Sequence, residues 1–189
     1  DWDIWYSYFS ETGRYNVVGI NADATTKLKI YDTSTGVQID FPDIDGKEIT
    51  SVNIADSEEW MAFYAGSSDA TTDLYIYNFE SGDYKQLTNT LNENIDVDHL
   101  VKGEVIRYKS FDGLEIPAIY YKPLTASADN KTPALVWVHG GPGGQSRVGY
   151  FGLIQYLVNH GYAILAVNNR GSSGYGKTFN KMDDLNHGD

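Results

Sequence analysis

The chain has 189 residues, 41% of them hydrophobic and 14% aromatic, which is ample material for a core and excludes a disordered segment. Its 14 Lys and Arg stand against 26 Asp and Glu, a formal net charge of -12, so its field opposes nucleic acid and anionic membrane surfaces as partners. Cysteine is absent, which removes disulfides, thiolate metal sites and cysteine nucleophiles, and no apolar run reaches the roughly 18 residues of a membrane-spanning helix.

Residues 1–100 repeat. Tyr8–Val18 stands 46 residues before Ile54–Tyr64, and the same offset relates Leu28–Gly36 to Leu74–Gly82. Each unit has short aromatic-rich or alternating strands between turn residues, and a period within roughly 40 to 50 residues predicts β-propeller blades. Two blades cannot close a propeller, and residue 1 is Asp with no signal-peptide pattern after it, so the chain is expected to begin inside a longer protein. Its compartment is therefore not readable.

After residue 100 the grammar changes. Glu104–Phe111 and Leu114–Tyr121 read as strands joined through Asp112-Gly113, a dipeptide that favours a tight hairpin turn. A polar stretch, Thr125–Lys131, leads to the continuously apolar Ala134–Val138, predicted to be a central strand buried on both faces. A helix follows, from the spacing of Phe151, Ile154, Leu157 and Val158, and Gly161 supplies its left-handed stop. Gly161–Asn168 is a second buried strand, so the order strand, helix, strand predicts a right-handed crossover in a largely parallel sheet, with a weak polar helix over Phe179–Leu185.

The turn between strand and helix, His139-Gly-Gly-Pro-Gly-Gly144, is the most informative segment. Glycines after such a strand let a backbone N–H approach a developing alkoxide, as in the oxyanion holes of α/β-hydrolases. The nucleophile elbow G-x-S-x-G occurs nowhere in the chain. Ser146, Ser172 and Ser173 therefore read as solvated or turn-capping hydroxyls, His99 as a linker residue, and His160 as a helix end. His187 is too near the chain end to assign, and no histidine spacing suggests zinc, so neither metal nor cofactor is expected. One motif competes: Gly171–Thr178 satisfies the P-loop pattern G-x-x-x-x-G-K-[ST] after an apolar strand. It leaves the 140–144 turn without a purpose, and no second acidic motif for magnesium follows it.

Val138-His-Gly-Gly-Pro142, Asn159-His-Gly-Tyr162 and Asn168-Asn-Arg-Gly-Ser-Ser-Gly-Tyr-Gly176 together resemble the start of the catalytic domain of prolyl oligopeptidase family serine peptidases, nearest the acylaminoacyl-peptidase and dipeptidyl-peptidase branches. Phe111–Pro117 resembles the hairpin where that domain begins. The resemblance implies β-propeller blades over 1–100, followed by the N-terminal part of an α/β-hydrolase domain over 101–189. It implies a Ser-Asp-His triad lying wholly beyond Asp189, an oxyanion donor at the backbone N–H of Gly141, and a turn shaped by Gly140 and Pro142. His139 is expected to brace the loop through a hydrogen bond rather than act as base, and Arg170 to pin the loop after the second buried strand. The implied function is peptide hydrolysis through an acyl-enzyme, with a peptide as partner and the 189 residues alone inactive; oligomeric state is not readable. An esterase and a non-catalytic propeller interaction module are the alternatives.

Overall fold

The computed structural model describes residues 2–185; His187 lies outside the described residues. They form three sheets. The first is antiparallel, in the order β1 (Asp3–Phe9), β2 (Tyr15–Ala22), β3 (Thr25–Asp32). The second runs β4 (Glu48–Ile54), β5 (Trp60–Ser67), β6 (Ala70–Asn78), β7 (Tyr84–Gln86). Alternation along β2 and β5 turns Tyr15, Val17, Met61, Phe63 and Ala65 to one side, where they bury against Ile30, Tyr75 and Tyr77. Rings dominate this core, with Tyr15 on Phe79 at 4.2 Å and Phe63 on Tyr75 at 5.2 Å.

The repeat is present in the hydrogen bonds, but not at one constant offset. Ser10 donates to Tyr15 O at 2.9 Å and Ala55 to Trp60 O at 2.9 Å, so these turns stand 45 residues apart, one fewer than the sequence alignment of that segment. Further on, Gly36 donates to Asp32 O and Gly82 to Asn78 O, and here the offset is 46. The extra residue enters at a bulge, where the pairing steps from Ala65–Asp73 to Ser67–Ala70 and β6 advances by one residue more than β5.

A mostly exposed segment containing a 3₁₀ turn, Val97–His99, leads into the third sheet. Its strands are β8 (Glu104–Lys109), β9 (Glu115–Tyr121), β10 (Ala134–Val138) and β11 (Ala163–Val167), in the order β10-β11-β9-β8. β8 and β9 are joined by a turn at Ser110–Gly113, longer than a two-residue hairpin loop, with Gly113 left-handed at φ +87. Helix α1 (Gly152–Asn159) lies between β10 and β11 in the chain, buries Ile154 and Val158, and stops at Gly161 with φ +85. Helix α2 is short, Gly176–Asn180, in place of the predicted Phe179–Leu185.

Two sequence expectations are corrected here. Only β10 and β11 pair in parallel, because the β8–β9 hairpin and the β9–β11 pairing are antiparallel, so the sheet is mixed. And β10 is not buried on both faces: it is an edge strand paired only with β11, and Val136 and Val138 are 65% and 70% exposed. Its apolar composition is that of a central strand; its place in the described residues is that of an edge.

The first two sheets and the third interlock. The β2–β3 turn places Ala24, fully buried, inside the core made by Ile119, Tyr121, Ile154, Ile164 and Ala166. The corresponding β5–β6 turn does the same with polar groups, since Ser68 Oγ accepts from Gly103 N at 2.8 Å and Ser68 O from Gln155 Nε2 at 2.7 Å. Gln155 is buried and also exchanges hydrogen bonds with both backbone groups of Val101.

Candidate active-site turn

The chain leaves β10 at Val138 and reverses through His139–Gly144. Gly141 has φ +109, a conformation that a side chain disfavours. Gly144 closes the turn, and a Cβ there would lie 2.4 Å from Gly140 O, so only glycine permits this approach. Among the described residues, nothing accepts the N–H of Gly141, and both Gly140 and Gly141 are exposed.

His139 faces the other way. Its Nε2 lies 2.8 Å from Ser172 Oγ, and Ser172 Oγ donates to Asn169 O at 2.6 Å. His139 Nδ1 lies 3.2 Å from Gly140 O, so both ring nitrogens are engaged within the turn and the loop after β11. Ser172 is fully buried, so of the two readings its sequence context offered, solvated or turn-capping, it takes the second: its hydroxyl donates to the carbonyl three residues back. Ser146 is buried as well; its N–H donates to Asn168 Oδ1 at 2.7 Å, while Asn168 Nδ2 returns a bond to Ser146 O at 3.0 Å. The loop is thus gripped from the end of β11, and Ser173 N adds a bond to Gly144 O at 3.0 Å. A cleft of about 300 Å³ opens beside it, lined by Trp137, His139, Ser146, Tyr150 and Phe151 among others.

The same loop is gripped from the first sheets by residues that sequence reasoning did not single out. Arg147 Nη1 donates to Asn21 Oδ1 at 2.6 Å, and Nη2 donates to Thr26 Oγ1 at 2.7 Å and pairs with Glu48 Oε1 at 3.3 Å. Its guanidinium lies 3.9 Å from the Trp5 ring centre. Asn21 Nδ2 donates to Gln145 Oε1 at 2.8 Å, and Val148 N to Ala24 O at 2.9 Å. Glu48 also accepts from Thr26 N. Burial pushes the Glu48 carboxyl pKa up despite these bonds, and burial pushes Arg147 down, so desolvation outweighs attraction on both sides of the pair. No motif could have revealed partners 99 to 126 residues apart.

Arg170 ties the loop after β11 to the β8–β9 turn, with bonds to Asp112 Oδ1 at 2.6 Å and Ser110 Oγ at 3.2 Å. The Gly171–Thr178 segment offers little to a phosphate. Gly171 N is spent on Phe179 O, Ser172 N on Asn169 O and Ser173 N on Gly144 O, and the Asp183 carboxyl packs against Gly171 where a Cβ would be 2.1 Å from it.

No family model matches the chain. It is 28% identical over 176 residues to dipeptidyl aminopeptidase BIII of Pseudoxanthomonas mexicana, an alignment covering 89% of this chain and 25% of that protein. The chain is a relative of prolyl oligopeptidase family peptidases. Solved structures share the fold of this peptidase relative: a puromycin-hydrolysing peptidase of Mycobacterium tuberculosis matches with TM-score 0.76 at 23% identity, covering 93% of this chain and 27% of that one. The acylaminoacyl peptidase of Pyrococcus horikoshii matches with TM-score 0.69 at 24% identity over 95% and 27%. The chain therefore spans about a quarter of the length of the peptidases it matches.

Proposed function

We propose that the protein containing these residues is a serine-type peptidase that cleaves peptides through an acyl-enzyme, and that this chain contributes the oxyanion turn. In this reading the sheets of residues 1–100 are the last blades of a β-propeller and residues 101–189 begin an α/β-hydrolase domain. The observation that carries it is the turn itself: among the described residues the N–H of the exposed, left-handed Gly141 has no acceptor, in a glycine-rich bend at the end of β10. Its neighbour His139 is spent on bracing through Ser172 and is not free to act as a base. Gly140 supplies the carbonyl against which Gly144 closes.

Gly141 alone cannot turn over a substrate. One oxyanion donor is worth about 10² to 10³ in rate, whereas loss of a triad costs about 10⁶, so the 189 residues by themselves are inactive. A fluorophosphonate is the decisive probe. The full-length protein should label once, at a serine outside this chain, and hydrolyse peptide amides as well as esters. Labelling at Ser146, Ser172 or Ser173 would overturn the assignment, and turnover of esters without amides would make the protein an esterase.

A further inference from the structure

We infer that Arg147 is a positioning residue for the oxyanion turn, and that it acts by anchoring the turn to the β2–β3 hairpin and β4. The segment that begins at His139 and bends at Gly141 runs without secondary structure to α1, and a free glycine-rich loop of that kind would sample many conformations. Its inner side is held by Ser172, Asn168 and Ser173. Its outer side is held by Arg147, whose planar fork meets Asn21, Thr26 and Glu48 at once, one acceptor on each of three strands. Gln145 to Asn21 and Val148 to Ala24 O flank the fork, so three of four consecutive residues bond to the first sheet.

Among the described residues the three acceptors have no other cationic partner, and the fork cannot be replaced by a point charge. A lysine can reach one or two of the three positions, but not all with the same geometry. Arg147 lies six residues from Gly141, and Gln145 between them belongs to the same cluster: Arg147 Nη1 reaches both Asn21 Oδ1 and Gln145 Oε1, at 2.6 and 3.3 Å, while Asn21 Nδ2 donates to Gln145 Oε1. Loosening the outer anchor therefore also releases Gln145, four residues from the donor, and leaves the turn held from its inner side alone. Sub-ångström placement of such donors governs rate more than binding.

The inference rests on the acyl-transfer reading only for its kinetic readout. The experiment compares full-length wild type with Arg147→Met, Arg147→Lys and Glu48→Gln, by hydrogen exchange of peptides covering 139–149 and by kcat and KM on a chromogenic ester. Arg147→Met should speed exchange in that segment by about tenfold or more while the strands of the first two sheets keep their protection. Its kcat should fall by about tenfold or more with KM within about twofold, and Arg147→Lys should recover only part of both effects. Glu48→Gln, which keeps the shape and removes the charge, should loosen the segment less than Arg147→Met. Unchanged exchange over 139–149 in Arg147→Met overturns the inference whatever the kinetics show. So does a uniform loss of protection across all sheets, which would mark Arg147 as merely structural. If wild type hydrolyses nothing, the peptidase reading fails and the exchange data alone decide the positioning role.

Discussion

Single atoms set the turn. Replacing Gly144 by Ala introduces one methyl 2.4 Å from Gly140 O at a backbone conformation that alanine otherwise accepts, so its effect is steric displacement of the turn. Full-length Gly144→Ala should lose about 10² to 10³ in kcat, as removal of an oxyanion donor does, with folding intact by circular dichroism. Ser172→Ala should act on stability instead: it removes the buried hydroxyl that joins His139 Nε2 to the Asn169 carbonyl, two groups that water can partly reach, at a cost of about 0.5 to 1.5 kcal/mol in guanidinium unfolding. The glycines of this turn were legible in the sequence because their backbone demand is local. The turn-capping role of Ser172 was legible too, but not its burial or its contact with His139, which lies 33 residues away.

At the scale of elements, periodicity located β8 to β11 and α1, and it misjudged their surroundings. The run Ala134–Val138 reads as central because nothing in a strand's own composition states how many neighbours it has; here it has one. An apolar edge with unpaired backbone groups recruits other strands, so the 189-residue chain made alone should self-associate. Val136→Lys, at an exposed position of that edge, should shift the material toward monomer in sedimentation, and an unchanged distribution would place the association elsewhere. The repeat shows a different limit. Turn chemistry at Asp32 and Asn78 gave the right offset, whereas the bulge in β6, which is a matter of pairing, shifted the earlier turns by one residue.

Across the whole molecule, the Glu48–Arg147 pair separates stability from position. The fold holds the Glu48 pKa above its usual 4.5, so the native state binds that proton more tightly than the unfolded chain does. That preference stabilises the fold below the unfolded-state value and is lost as pH rises through the folded one. Glu48→Gln should thus gain on wild type in unfolding midpoint as pH rises from about 4 to about 7, although the same change loosens the turn. A pair retained at such cost is consistent with a role in specifying geometry.

The two hairpin tips have one further consequence. Ala24 fills the second core and Ser68 is bonded to Gln155, while residues 92–99 between the halves are exposed. The halves are therefore fastened by side chains and turns, and the peptide that joins them serves chiefly to raise their effective concentration during assembly. A single protease nick within 92–99 should leave two pieces that still elute together under native conditions and part only in denaturant. Expressed as separate polypeptides, the same two halves should reconstitute by noncovalent complementation.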